Sequence, residues 1–409
     1  MRGSCHDRCP FRCENPQIIQ RRATDVCSLC DSSTGLTTSA EGHGALNRRS
    51  VLGGLGSAAA LVGLSACTPA GEVRDAAATG PDQAIGDAKL GLALLGTQAG
   101  PPVVADRAGI ASALVVDGHV YVVDCGRAAT TQYPRAGLQF RNLNSIFLTH
   151  LHADHLADYY NFFLLAGHIP NPRGDNLPGP IDVYGPGPAG GLPPKFGGGP
   201  APTVHPEAPT PGTREMTERL HAAYSYSDNI FLRDMNIRDV RTLSTVHEIE
   251  VPEVGANFQN TAPPMQPFEV MRDERVRVTA TLVPHGPVFP AFAFRFDTEH
   301  GSVTFSGDTA KTPNLIELAK DTDILVHEAI GVQGADIPPA VLDHMLQSHV
   351  EVQETGHVAQ AANARTLVLS HISDLAQNPI DENAWKNWAQ QGYDGEVVVG
   401  RDLQTFVLA

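Results

Sequence analysis

The chain has 409 residues, an apolar fraction of 42%, and 29 Lys or Arg against 45 Asp or Glu, for a formal net charge of −16. That is enough chain for one large globular domain with appendages. The acidic excess repels polyanions within a Debye length of about 8 Å, so a nucleic-acid-binding module is excluded as the default class.

The charge is unevenly spread. Residues 1–66 hold seven Arg and five acidic residues, which leaves 29 − 7 = 22 basic against 45 − 5 = 40 acidic residues downstream, a net of −18. Cys5, Cys9, Cys13, Cys27 and Cys30 precede the pair Arg48-Arg49, and a Gly/Ala-rich, weakly apolar run follows to Ser65. That run is too short to cross a bilayer, which needs about 20 apolar residues. Paired arginines before such a run resemble a twin-arginine export signal, and Leu64-Ser65-Ala66-Cys67 resembles a bacterial lipobox with Cys67 as the lipidated first residue of the mature chain. Residues 1–67 are thus expected to be a leader that sends the protein to the periplasm or cell surface as a lipoprotein. Residues 68–87, rich in Ala, Gly, Asp and Pro, are expected to be a flexible tether, and residues 88–409 the folded domain. Beyond Cys67 only Cys125 remains, so that domain has no internal disulfide.

Strands are expected at 90–95, 113–117 and 120–124, with Asp117-Gly118 as a two-residue hairpin turn. A short helix over 130–136 and a strand over 146–148 follow. The apolar spacing of Leu156, Tyr159, Tyr160, Phe163 and Leu164 predicts a helix over 155–166. After a strand at 181–184 comes an insertion at 185–268, loop-like over 185–212 and helical over 214–226. So long an irregular segment reads as a lid or binding loop, the place for substrate specificity. Further strands are expected at 276–283, 291–296, 302–305, 324–326, 366–369, 396–399 and 404–408, with helices at 313–320, 350–363 and 382–391. Strand-rich halves that both bear helices predict an α/β fold with two sheets inside and helices outside.

Four potential ligands lie within six residues of one another just after the 146–148 strand: His150, His152, Asp154 and His155. A tight loop leaving a buried strand can aim residues i and i+2 at one metal and residues i+4 and i+5 at another. Grouping such side chains without a metal carries a desolvation cost that nothing else offsets. Imidazole and carboxylate together suit zinc and its neighbours. His285, Asp308 and His371 each end a predicted strand, where a rigid scaffold presents groups to a shared cleft.

With Leu95-Gly96-Thr97 and Arg107, Val123-Asp124-Cys125-Gly126, Ser306-Gly307-Asp308-Thr309, Val326-His327-Glu328-Ala329 and Leu369-Ser370-His371, the chain from about Leu94 to its end resembles metallo-β-lactamase-fold hydrolases. The resemblance is to the ribonuclease Z branch and, within it, to arylsulfatase-like members. It implies a four-layer αββα sandwich. It also implies two Zn²⁺, with Mn or Fe compatible with the same donors: His150, His152 and His285 on one, Asp154, His155 and His371 on the other, and Asp308 bridging. A metal-bridging hydroxide derived from solvent would be the nucleophile, with Asp154 orienting or deprotonating it. His349 aligns with a histidine that assists the transition state or leaving group in ribonuclease Z relatives, although Val350 stands where they carry Ser or Thr. Asp124 and Glu328 are candidates to hold ligand imidazoles from behind. His357 is expected on a solvated helix face, with His344 near His349.

Two dications less two carboxylates and one hydroxide leave such a site at +1, suited to a monoanionic ester. Hydrolysis of a sulfate ester is the first expectation and zinc phosphodiesterase activity of ribonuclease Z type the alternative, with a non-catalytic metal-binding lipoprotein third. The expected partners are a small anionic ester rather than nucleic acid, a membrane through lipidated Cys67, and a second copy in a homodimer.

Overall fold

Apolar runs separated by turn residues build two seven-stranded sheets within residues 85–409, the part of the chain that the computed structural model describes. The cysteines at 5–30, the arginine pair and the lipobox lie outside the described residues, as does the tether up to residue 84. The tether's expected end at 87 is overtaken by Ile85, which is buried and opens a 3₁₀ turn, Ile85–Asp87.

The first sheet contains β1 (Leu90–Gly96), β2 (Ala111–Val116), β3 (His119–Val123), β4 (Leu143–Phe147), β5 (Ile181–Pro186), β6 (Ser244–Ile249) and β14 (Thr405–Val407), in the order β14-β1-β2-β3-β4-β5-β6. The second contains β7 (Phe268–Arg272), β8 (Arg277–Leu282), β9 (Phe292–Thr298), β10 (Gly301–Phe305), β11 (Ile324–Gly331), β12 (Thr366–Asp374) and β13 (Glu396–Val399), in the order β13-β12-β11-β10-β9-β8-β7. The sheets share one plan. β1 to β3 and β7 to β10 pair antiparallel, whereas β3 to β6 and β10 to β13 pair parallel. Asp117 and Gly118 both have positive φ, as the two-residue turn between β2 and β3 requires.

Helices α1 (Ala129–Arg135), α2 (Ala153–Leu156), α3 (Asn161–Phe163), α4 (Thr213–Ala223) and α5 (Ser225–Asp234) come from the first half. From the second come α6 (Pro313–Leu318), α7 (Pro339–Leu346), α8 (Val352–Ala361) and α9 (Glu382–Ala389). β1 is buried along its whole length, and its alternate residues feed two different cores. Leu92 and Leu94 join Phe147, Phe294 and Phe296 between the sheets, and Ala93 and Leu95 join Tyr133 and Phe162 beneath the helices. A third core sets Leu315, Val358 and Trp385 against Leu325, Leu367 and Val397. Three apolar layers therefore separate four layers of structure in the expected αββα order, and strands covered on both faces read as continuous apolar runs.

The expected helix over 155–166 is broken into α2, α3 and a π turn at Leu164–His168. Its ladder is interrupted because the Asp158 amide donates to the Cys125 carbonyl, while the Cys125 amide donates to the carbonyl of His155. The Asp158 carboxylate adds to this by accepting from the Thr130 amide and hydroxyl and from Asn161 Nδ2. Side chains that bind neighbouring backbone in this way compete with helix. The same bonds fasten the loop of His150 to His155 against the end of β3.

Candidate metal centre

Thr149 to His155 leave the end of β4 and enter α2, and what shapes this turn is Asp124. Its carboxylate accepts from the Thr149 amide at 2.8 Å and hydroxyl at 2.9 Å, and from His155 Nδ1 at 2.8 Å. With Nδ1 so held, His155 turns Nε2 inward. His285 is fixed in the same manner, Nδ1 donating to the Ser348 carbonyl at 2.9 Å. Asp124 has φ 60° and His371 φ 59°, left-handed conformations that cost non-glycine residues roughly 1–3 kcal/mol. At His371 the cause is a bulge. His327 pairs with Leu369 but Ala329 pairs with Ile372, so Glu328 alone faces both Ser370 and His371.

Seven predicted donors converge. His150, His152, His285 and Asp308 offer atoms within 4.8 Å of one another, and so do Asp154, His155, Asp308 and His371. Asp308 divides its oxygens between them. Oδ2 lies 3.8 Å from His150 Nε2 and 3.6 Å from His285 Nε2, and Oδ1 lies 3.4 Å from His155 Nε2 and 3.2 Å from His371 Nδ1. Asp154 Oδ2 lies 3.5 Å from His155 Nε2 and 3.3 Å from His371 Nε2. Two ligands of a tetrahedral zinc at its usual bond lengths are ~3.3 Å apart, so these spacings fit a metal without rearrangement. A second observation agrees: His150 Nε2, His155 Nε2, Asp308 Oδ1 and His371 Nδ1 are buried with no hydrogen-bond partner. Groups of this kind need a partner, and a cation in each donor set would satisfy all four.

The protonation pattern is divided: against the effect of burial, Asp308 and Asp124 hold His155 well above its ordinary pKa, while other imidazoles are held neutral. Burial holds His150 well below its ordinary pKa and takes His285 down to about 4, which leaves both imidazoles neutral and ready to ligate. Burial pushes Asp154 upward, but the His371 hydrogen bond and the charges of His155 and His371 bring it to about 2. Asp308 is held well below the carboxylate range, because His371 and His155 outweigh its burial.

Glu328 does not support a ligand imidazole as expected. Its Oε1 accepts from the Val350 amide at 3.1 Å and from His349 Nδ1 at 3.2 Å. His349 therefore stands beside the donors, its ring 5.1 Å from that of His285. Burial alone would lower its pKa, but the facing Glu328 raises it to about 9. His357 is exposed on α8 as expected, and His344 stacks on Phe196 at 4.0 Å.

The insertion at 185–268 does not line the cleft above these donors, contrary to expectation. Residues 98–107 and 372–380 do, together with Ile330 and Met345. The insertion instead packs α4 on β6, and its Phe196 stacks on His344, next to Met345. The backbone role of Gly100, whose amide donates to Asp154 Oδ2 at 3.0 Å, leaves no mark in the sequence beyond a Gly-Pro pair.

Two predictions concern this scaffold. Asn at Asp124 keeps the shape but loses the charge behind His155, and zinc affinity should drop roughly 10–100-fold. Competition with a chromophoric chelator measures this, and an unchanged affinity removes Asp124 from the centre's support. Gly307 has φ +58°, and a Cβ there would lie 2.5 Å from the Phe292 carbonyl. Gly307→Ala should cost about 1–3 kcal/mol, read as a Tm several degrees lower, and a Tm equal to that of the parent refutes it.

A four-layer αββα sandwich that gathers histidines and aspartates at its strand ends defines a metal-dependent hydrolase class. The profile described as metallo-beta-lactamase superfamily matches residues 106–168, and that of a beta-lactamase superfamily domain matches residues 225–372. Ribonuclease Z of Mycobacterium bovis is 30% identical over 318 residues, 77% of this chain and 96% of the relative, and ribonuclease Z of Mycobacterium tuberculosis has the same identity and coverage. The chain belongs to the metallo-β-lactamase superfamily, on its ribonuclease Z-like branch. The human short-form tRNase Z shares the fold with a TM-score of 0.52 at 20% identity, covering 78% of this chain and 99% of that one. The metallo-β-lactamase-fold protein YhfI of Bacillus subtilis does so with a TM-score of 0.51 at 16% identity, covering 78% and 98%.

Proposed function

We propose that the protein is a two-zinc phosphodiesterase in which His150, His152 and His285 hold one ion, Asp154, His155 and His371 the other, and Asp308 both. The observation that carries the reading is Asp308, whose two oxygens face two separate donor sets, one holding the buried, partnerless His150 Nε2 and the other His155 Nε2 and His371 Nδ1. Bound zinc would acidify water and polarise the ester oxygens. The chain's own residues do the rest. Asp154, ionised and held by the Gly100 amide, is placed to orient the attacking water. His349 is a proton donor: Glu328 holds Nδ1, and the opposite nitrogen is left for the departing oxygen.

A sulfate ester has the same single charge as a phosphodiester, and the expectation of a sulfatase rested on likeness to arylsulfatase-like proteins. Relatives named ribonuclease Z favour the phosphodiester. The test is to assay zinc-loaded protein on bis(p-nitrophenyl) phosphate and p-nitrophenyl sulfate, with and without chelator. Chelator-sensitive turnover of the diester supports the reading. Turnover of the sulfate alone replaces it with the sulfatase, and no turnover of either with zinc bound leaves the binding lipoprotein.

Export and anchoring through Cys67 belong to the same reading, supported by Arg48-Arg49 and the Leu-Ser-Ala-Cys ending. Cys67→Ser should release the protein from the membrane fraction. A variant that stays there refutes the anchor.

A further inference from the structure

We propose that the ester's organic substituent is an apolar aryl or alkyl group, bound by the cleft wall, and not a nucleotide chain. This rests on the diester-hydrolase reading and adds the substrate class. The cleft above the donors has a volume of about 700 Å³, within the range of small-molecule sites. Its apolar walls come from opposite sides: Pro102 and Val104 on one segment, Leu375 and Ile380 on the other, and Met345 from α7. Beyond the seven donors and His349, its charged lining is Asp106, Asp374 and Arg107. Arg107 is tied into the scaffold, Nη1 donating to Thr97 Oγ1 at 2.6 Å and to the Gly400 carbonyl at 3.0 Å. Away from the donors and His349 the wall thus carries one negative charge in excess.

A bound polynucleotide requires several Lys or Arg contacts to successive phosphates, and its unstacked bases seek aromatic faces. Among the described residues that line this cleft there is no Lys, Phe, Tyr or Trp. An uncharged substituent meets no such deficit. It buries its surface against Leu375, Ile380 and Met345, while its single anionic centre sits over the donors. Apolar burial of this type is worth roughly a three- to fourfold gain per added methylene.

The experiment compares p-nitrophenyl esters of methyl, butyl and hexyl phosphate with thymidine 5′-(p-nitrophenyl phosphate) on zinc-loaded protein. All share a leaving group, so kcat/KM differences report the retained substituent. The expected result is a rise of about threefold per methylene, with the hexyl ester at least 10-fold above the thymidine ester. Leu375→Asp and Ile380→Asp should flatten that slope, with the loss in kcat/KM greatest on the hexyl ester and smallest on the methyl ester. A flat series, or a thymidine ester that equals the hexyl ester, overturns the proposal. Calorimetric binding of dihexyl against dimethyl phosphate separates the two layers of the argument. Tighter dihexyl binding in a protein that turns over no ester sustains the apolar cleft while the hydrolase reading fails, and equal binding overturns the cleft.

Discussion

Asp308→Ala should lower bound zinc from two ions per chain towards one or none and cut kcat/KM on a diester by about 10³-fold. The size follows from the several kcal/mol of charge stabilisation that a metal centre provides, at 1.4 kcal/mol per decade of rate. Among the proposed ligands Asp308 faces both donor sets, so its loss affects both ions, whereas loss of His152 affects one. It is also fully buried among imidazoles. With the carboxylate gone, two adjacent cations would repel one another with nothing between them. Metal content by elemental analysis and steady-state kinetics on the same sample check the result. A variant that retains two zinc ions per chain would falsify the bridging assignment.

His349→Ala should lower kcat by ~10²–10⁴ on an ester with a poorly leaving alcohol, the range of general-acid catalysis, and by far less on a p-nitrophenyl ester, whose phenolate departs without a proton. Zinc content should not change. The donor form is the protonated ring, so activity on the poor leaving group falls as pH rises through the His349 pKa. The facing Glu328 brings that value to about 9. Two bound cations pull it back towards the ordinary 6.5, so the alkaline limb should lie between the two values. Glu328→Gln removes the supporting charge and should move the limb to lower pH. A limb that persists in His349→Ala belongs to another group, and equal losses on both leaving groups rule out proton donation.

The donors were legible because imidazoles and carboxylates are conspicuous against apolar strands, and because a strand end is a place where a side chain can be aimed. The two inner sheets were legible for a related reason: runs such as Leu90 to Leu95 are apolar on both faces. Long-range competition was not visible. Nothing near Asp158 announces that its amide goes to Cys125 and ends α2 early. β12 was expected to end before His371, but the bulge opposite Glu328 lets it run on to Asp374. The segment 372–380 therefore carried no expected element, although it forms one side of the cleft. The long Pro- and Gly-rich insertion attracted the specificity assignment instead, because length and composition are visible in a sequence whereas proximity to the donors is not.

The bulge in β12 has an evolutionary consequence. Its extra residue is absorbed at Ser370-His371, and pairing with β11 resumes at Ile372. His371 and the first cleft-lining residues, Ile372 to Asp374, consequently share β12 and meet where the register has already been corrected. Mutations from Ser373 to Ile380 can reshape the wall without shifting His371, so selection for a new ester can act on a few positions while the centre stays as it is. Relatives with unchanged donors and unrelated substrates are the expected product of such a strand.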